Sequence, residues 1–286
     1  MTWSRHWRLE CGDSGVVAPG PWLWLRALLW AALLFGFSIL AFFAALRMPV
    51  WVRLPPGSDY ACAIIVPALA VFAYAVAVHF AERRGVRELT LRAALFELPG
   101  GFIIGLTLIS AVLLLLWVLG LYQVGWGHWR HWFFYFVFNS YVSAVLEELA
   151  FRAILLRLVA RVFGPVTGLI ISSLLFGLAH ATYASFVASA QIAVVGLVFG
   201  ALYMKSGKLW LAIGAHLGYD FTEWSLMGVG DKSGLLVISP APHASVVLTG
   251  GTFGPDGSVL MTLVALSFVA AIVFAGDRMR DRSKRA

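Results

Sequence analysis

Ionisable side chains interrupt several long apolar stretches of this chain. Charged groups within apolar segments are compatible with only a few kinds of fold. The interrupting residues are Glu147, Glu148, Arg152, His180, His216 and Asp220. A charge at the centre of a bilayer costs at least about 2.5–3.5 kcal/mol, so such groups usually line an interior cavity and serve chemistry or transport. We therefore expect these side chains to face a cavity inside a bundle of helices.

The composition indicates a polytopic membrane protein. Of the 286 residues, 61% are hydrophobic and only 12% are charged, whereas soluble domains contain about 25% charged residues. A membrane-spanning helix needs about 20 apolar residues, and eight segments qualify. They cover residues 22–46, 60–80, 99–122, 131–157, 165–184, 187–204, 209–228 and 258–276. The sequence thus predicts an all-α bundle of about eight transmembrane helices, as a single membrane domain over residues 1–286.

Turn-forming residues separate several of these spans. They are Pro55-Pro56-Gly57, Pro99-Gly100-Gly101, Gly164-Pro165 and Gly207, and such residues typically end helices. The connection 229–257 is rich in Gly, Pro and Ser and is long for an irregular connector. A loop of that length favours a lid or a binding loop.

The distribution of Lys and Arg predicts the orientation in the membrane. The basic residues assigned to the outer side are Arg47, Arg53, Arg130 and Lys232, and the remainder of the 21 fall on the other side. Cytoplasmic loops carry the excess of positive charge, so both termini are predicted to be cytoplasmic, with a basic tail at 277–286 and an extracytoplasmic loop at 229–257. The net charge of +7 is explained in this way, without a nucleic-acid partner. We expect an integral protein of a bacterial-type cytoplasmic (inner) membrane, in contact with the lipid bilayer.

The first polar group distinguishes its two glutamates by spacing. Glu148 and Arg152 are four residues apart, so they share one helix face with the acid before the base, the stabilising order. Glu147 points about 100° away from Glu148 on the same helix. We expect Glu148 to stay ionised beside Arg152 as structural support, and Glu147 to face the cavity as a candidate general base.

Two further groups repeat this one-turn spacing. Phe176 and His180 are four residues apart, and so are His216 and Asp220. A single pair of this kind is more often a packed histidine or a local ion pair, but three polar pairs in three apolar helices indicate one functional cavity. A carboxylate, two imidazoles and a fourth polar group suit the hydrolysis of a peptide bond.

The ordered set resembles the CAAX-protease and bacteriocin-processing family of intramembrane endopeptidases, also called Abi proteins, to which the prenyl-protein endopeptidase Rce1 is related. The family pattern is EExxxR, then FxxxH, then HxxxN or HxxxD, on successive transmembrane helices. Here the pattern reads Glu147-Glu148 with Arg152, Phe176 with His180, and His216 with Asp220. The match covers residues 147–220, about a quarter of the chain, within predicted core helices at 131–228.

The resemblance implies a membrane-embedded peptidase that acts on a peptide or protein in or at the membrane. The implied roles are water activation by Glu147 and His180, oxyanion stabilisation by His216 and Asp220, and structural support by Glu148 and Arg152. Prenyl endopeptidases have Asn at the position of Asp220. A neutral Asn can donate a hydrogen bond to an oxyanion, whereas an ionised Asp cannot. Asp220 must therefore act protonated, orient His216, or help to bind a metal.

Two mechanisms and a second class of function stay open. We favour hydrolysis without a metal or other cofactor. In a zinc version, His180, His216 and Glu147 would hold Zn²⁺ with a position open for water, although the chain has no HExxH zinc-protease motif. Intramembrane His and Glu also act as proton relays in transporters, but the last four spans are not an evident inverted repeat of the first four.

The predicted spans disagree about the depth of the site. They put Glu147 and His216 toward the cytoplasmic end of their spans and His180 toward the outer end of the fifth. One site requires one depth. Tilted helices, or a fifth helix that begins deeper than Pro165, would satisfy that requirement.

The predicted topology can be tested with cysteine labelling and a reporter fused after Ala286. In a variant whose Cys11 and Cys62 are replaced by Ser, Val247→Cys should react with an impermeant thiol reagent added outside intact cells, because residues 229–257 are predicted to be extracytoplasmic. Arg92→Cys should react only after permeabilisation, and the reporter should be cytoplasmic. Protection of Val247→Cys in intact cells would require the last two spans to be redrawn.

Overall fold

The computed structural model describes residues 7–55, 57–129, 132–182, 184–229 and 234–283. Some sequence predictions fall outside these ranges. They concern Arg130, the start of the core at residue 131, Lys232 with its neighbours 230–233 in the outer loop, and residues 284–286 of the basic tail. Long helices dominate the described residues, so the predicted helical membrane bundle is confirmed.

Every predicted span corresponds to a helix. In chain order the helices are α1 (Leu23–Trp51), α2 (Ser58–Ala81), α3 (Leu91–Val118), α4 (a continuous run from Trp132 to Phe163), α5 (Pro165–Ala179), α6 (Phe186–Ser206), α7 (Leu209–Asp220, continued by Phe221–Leu226), a short α8 (Val246–Thr249) and α9 (Val259–Ser283).

Five described helices are long and apolar enough to cross a membrane. They are α1, α2, α3, α5 with the turn that follows it to Thr182, and α6. Residues Val259–Phe274 of α9 form a shorter apolar helix. Large apolar side chains such as Leu33 and Leu40 point outward with more than half of their surface exposed, as expected of a protein surrounded by lipid. The chain is an integral membrane protein.

Helix α3 contradicts the prediction that Pro99-Gly100-Gly101 ends a helix. It runs through these residues without interruption. A Cβ atom on Gly101 or Gly105 would lie only 2.2 Å or 1.8 Å from a carbonyl oxygen of α7. These glycines therefore allow the two backbones to pack closely, as small residues do between membrane helices, and they do not form a turn.

Helix α4 is longer than predicted and irregular. It extends to Phe163, beyond the predicted end at residue 157. Two stretches of it, Phe136–Tyr141 and Leu149–Leu156, are π-helical, and π-helical turns often occur at functional sites. Arg152 and Arg157, which the sequence analysis assigned to a cytoplasmic connection, are buried inside this helix. Because both arginines are buried, they no longer count among the exposed basic residues that support the predicted orientation.

The described residues contain a small sheet that the sequence did not predict. Strand β1 (Tyr122–Trp126) pairs with β2 (Leu236–Pro240) in antiparallel register, with Tyr122 opposite Pro240. The Tyr122 hydroxyl also donates a hydrogen bond to the Thr249 carbonyl at 2.8 Å. Residues 234–257 are therefore anchored to the end of α3 through β2 and α8.

A second set of buried charges, here called the charge clamp, joins α2 to α4 and consists of Glu82, Arg84, Glu88 and Arg157. Arg157 binds both oxygens of Glu82 at 2.7 Å, and Arg84 binds both oxygens of Glu88 at 2.8 and 2.6 Å. Burial alone would raise the pKa of Glu82 and Glu88, but their arginine partners outweigh it and hold both pKa values below the ordinary range. A carboxylate with a lowered pKa stabilises the folded state at neutral pH, and that contribution is lost as the pH falls through the folded-state pKa.

Candidate functional site

A cavity of about 510 Å³ lies between α4, α6, α7 and residues 234–257, which are predicted to be extracytoplasmic and are here called the outer segment. Glu147, His180, His216 and Asp220 all line it. The structure thus brings together the four catalytic candidates, which come from α4, from the turn that follows α5, and from α7. Glu148 and Arg152 lie behind the cavity wall and are fully buried.

The lengths of α4 and α5 explain how Glu147 and His180 reach one depth. Helix α4 continues to Phe163, and α5 returns from Pro165 and ends at Ala179, before the predicted end at residue 184. Glu147 precedes the turn by nearly as many residues as His180 follows it, and at about 1.5 Å per residue the two reach the same level. The Ser172 hydroxyl donates to the Phe151 carbonyl at 2.6 Å, which fixes the register of the pair.

Glu148 connects α4 to α7 through one carboxylate. Its Oε1 accepts a hydrogen bond from Nδ1 of His216 at 2.9 Å, and its Oε2 lies 3.1 Å from Nε of Arg152. The Arg152 contact is close enough for an ion pair but lacks the alignment of a hydrogen bond, so its contribution is electrostatic. Arg152 also donates to the Gly196 carbonyl of α6 at 3.1 Å. These contacts fix the position of His216 relative to α4 and α6.

The hydrogen bond from Glu148 also fixes the tautomer of His216. A carboxylate can only accept, so Nδ1 carries the proton, and Nε2 is directed toward Asp220, whose Oδ2 lies 3.4 Å away. At this distance Asp220 can orient His216 or share a proton with it, and the role of Asp220 stays a prediction.

Aromatic rings surround the buried arginine and both histidines. The guanidinium carbon of Arg152 lies 4.4 Å from the centre of the Phe176 ring, a cation–π distance. The same ring is 4.9 Å from His180 and 5.9 Å from His216, measured between ring centres. Phe199, which the sequence analysis missed, stacks on His216 at 4.8 Å. The aromatic residue in the FxxxH pattern therefore holds three charged or titratable groups in place.

His180 presents its second ring nitrogen as an acceptor when it is neutral. Its Nδ1 is 2.8 Å from the Phe176 carbonyl oxygen, and because a carbonyl only accepts, this nitrogen carries the proton. The lone pair then lies on Nε2, on a ring that lines the cavity. A neutral imidazole in this tautomer can accept a hydrogen bond from water.

The two neighbouring glutamates have different surroundings, as their spacing predicts. Glu148 is bound by His216 and Arg152, whereas Oε2 of Glu147 is buried without a hydrogen-bond partner among the described residues. Because Glu147 lines the cavity, its carboxylate is available to a water molecule or a substrate.

Two polar residues of α4 that the sequence analysis missed also line the cavity. Asn139 and Ser143 precede Glu147 at intervals of four residues. That spacing is the signal that could have identified them, since it continues the face that carries Glu147. Their neutral side chains can donate hydrogen bonds without adding charge.

Two further carboxylates line the cavity, and sequence reasoning missed both. Glu223 lies in the π-helical continuation of α7, three residues after Asp220. Asp256 comes from the outer segment and accepts a hydrogen bond from the Tyr219 hydroxyl. Glu223 could have been found from its position one turn after Asp220, but the approach of Asp256 depends on the tertiary fold.

The described residues do not fit the zinc version of the site. They include no group of three or more His, Cys, Asp or Glu side chains arranged to hold a metal ion. Both ring nitrogens of His216 are also directed at carboxylates, Nδ1 at Glu148 and Nε2 at Asp220. We therefore derive no step through zinc, and the preference for metal-free hydrolysis stays a prediction.

The buried pair of Glu148 and Arg152 can be tested by removing the cation. Arg152→Ala strands the Glu148 carboxylate, and breaking a buried ion pair typically costs about 3–5 kcal/mol. We expect a marked loss of unfolding free energy in detergent, measured by thermal or denaturant unfolding. Arg92→Ala is the control, because Arg92 is exposed. Equal stability of the two variants would contradict a structural role for Arg152.

Comparison with known proteins agrees with the motif pattern. Residues 129–222 match a family model described as type II CAAX prenyl endopeptidase Rce1-like. Searches of the curated proteins and of the solved structures each found no match. The matched residues include all six site residues that the sequence analysis selected. The part of the chain that carries the site, residues 129–222, is therefore similar to the type II CAAX prenyl endopeptidase Rce1-like family.

Proposed function

We propose that this protein is an intramembrane endopeptidase that hydrolyses a peptide bond of a membrane-associated peptide or protein without a metal. The proposal is carried by the convergence of Glu147, His180, His216 and Asp220 on one cavity inside a helical membrane bundle. The Rce1-like family match of residues 129–222, which names an endopeptidase, supports it.

The first chemical step is the activation of water by Glu147 and His180. Neutral His180 accepts a hydrogen bond from the water at Nε2 and orients it. Glu147 takes a proton as the water oxygen bonds to the scissile carbonyl carbon, a general-base step. The tetrahedral intermediate then collapses: the carbon–nitrogen bond breaks, Glu147 returns its proton to the leaving amine, and a carboxylic acid and an amine are released.

The oxyanion of that intermediate must be stabilised by hydrogen-bond donors, because the described lining of the cavity contains no Lys or Arg. His216 and Asp220 face each other across 3.4 Å, so a proton held by this pair can serve the oxyanion when the substrate is bound. The amide of Asn139, on the face of α4 that carries Glu147, is a neutral donor suited to the same task. Fixed donors aimed at a developing charge contribute strongly to catalysis.

Glu147 and His180 can be tested together in a cleavage assay. The full-length protein in lipid nanodiscs is incubated with a library of acyl-anchored peptides, and products are identified by mass spectrometry. Glu147→Gln and His180→Ala should each abolish turnover while leaving the protein folded, and the double variant should be no worse than either single one, because members of one catalytic unit are non-additive.

Exposed residues supply matched controls for this experiment. Glu10→Gln and His128→Ala make the same chemical changes at exposed positions and should cleave normally. Near-normal cleavage by Glu147→Gln would overturn the assignment of the base. Inhibition of the parent protein by a chelator, reversed by added zinc, would replace the metal-free mechanism by the zinc version. Proton-coupled uptake by proteoliposomes without any cleavage would favour the transporter.

The role of Asp220 is tested by Asp220→Asn. If Asp220 acts as a protonated donor, the amide keeps a donor and substantial activity should remain, particularly above neutral pH, where an acid would lose its proton. If Asp220 is a metal ligand, activity and bound zinc should fall together, because an amide is a poorer ligand. A pH–rate profile and elemental analysis of this variant distinguish the two outcomes.

A further inference from the structure

The outer part of the cavity is strongly acidic. Within the described residues, its lining contains four carboxylates, from Glu147, Asp220, Glu223 and Asp256, and no Lys or Arg. The mechanism proposed above uses the first two of these residues. It gives no task to Glu223 and Asp256, although both line the same cavity as the catalytic candidates.

Glu223 is the less expected of the two. Only 3% of its surface is exposed, and no described side chain forms an ion pair or a hydrogen bond with it. The charged groups that act on it are two other carboxylates, Asp256 and Asp220. A buried carboxylate usually has a cationic or hydrogen-bonding partner, and a cationic group of a ligand would supply one for Glu223.

Asp256 brings a second carboxylate to the same place from the outer segment. Tyr219 donates a hydrogen bond to it, and the segment is held further by a hydrogen bond from the Gln191 amide to the Gly257 carbonyl at 3.1 Å. Burial raises the pKa of Asp256 above its usual value, against the opposing effects of Tyr219, His180 and His216. A cation beside it would favour the ionised form.

The surrounding side chains suit an organic cation. Trp224, next to Glu223 in sequence, and Phe253, three residues before Asp256, line the cavity as well. Aromatic rings next to carboxylates favour Lys ammonium or Arg guanidinium groups. No described group of residues is arranged to hold a metal ion, which argues for the cationic side chain of a peptide.

We propose that Glu223 and Asp256 form a subsite for a Lys or Arg side chain of the substrate, next to the scissile bond. This inference rests on the proposed endopeptidase function, because it defines the substrate class of the same cavity. The outer segment that carries Asp256 then contributes to substrate recognition.

The experiment compares matched peptides. The protein in nanodiscs is given acyl-anchored peptides that carry Lys, Arg, Gln, norleucine or Glu at each position in turn, and kcat/KM is measured for the best cationic peptide and its Gln counterpart. The wild-type protein should prefer Lys or Arg over Gln by about tenfold or more, as expected when a hydrogen bond to a charged group is lost. Glu223→Gln and Asp256→Asn should each reduce that ratio.

Controls make each outcome decisive. Asp59→Asn removes an exposed carboxylate outside the cavity and should leave the ratio unchanged, and thermal unfolding identifies any variant that fails to fold. If wild-type protein cleaves peptides without preferring a cation, this inference is overturned and the proposed function stands. If it cleaves none of the peptides, both are overturned. A strong preference for Lys or Arg over Gln that survives in a folded Glu223→Gln or Asp256→Asn variant would also contradict the assignment. If neither variant folds, the kcat/KM ratio of the wild-type protein decides.

Discussion

The carboxylate of Glu148, held between Arg152 and His216, is the contact on which the arrangement of the site depends. It joins α4 to α7, and Arg152 extends the connection to α6 through the Gly196 carbonyl. A single charge inside a bilayer is costly, and pairing with hydrogen bonding is what makes burial tolerable. The same contact determines which nitrogen of His216 carries a proton. One buried ion pair therefore sets both the positions of the helices and the protonation pattern that the chemistry needs.

Helix α4 is fixed by buried charges at two levels. Near its C-terminal end Arg157 binds Glu82 in the charge clamp, and about one turn earlier in the helix Arg152 lies beside Glu148. Arg152 lies within the π-helical stretch Leu149–Leu156, and Arg157 follows that stretch directly. Glu147 precedes this fixed region directly. The helix backbone therefore orients the Glu147 carboxylate toward the cavity, although no hydrogen bond to a described residue holds its Oε2.

The sequence predicted what local periodicity encodes. Apolar length gave the spans, and the one-turn spacings of Glu148 with Arg152 and of His216 with Asp220 gave side-chain pairs that the structure contains. The errors concern non-local packing. The residues Pro99-Gly100-Gly101 have the composition of a turn, but they form a helix that packs against α7. The depth of His180 depends on how far α4 continues past residue 157. The pairing of β1 with β2 joins segments that are distant in sequence. The approach of Asp256 to the cavity has the same origin, since no local pattern indicates which loop covers a site.

The charge of the cavity sets a condition on any hydrolysis within it. Peptide cleavage creates an oxyanion, and carboxylates close to a developing negative charge raise the barrier, most strongly where water is scarce. Arg152 is buried behind the wall and already faces Glu148, so it offsets little of this charge. A cationic side chain bound by Glu223 and Asp256 would reduce the excess negative charge while the oxyanion forms. Substrate recognition and catalysis would then be coupled, because a peptide that lacks the cation would meet a higher barrier as well as weaker binding.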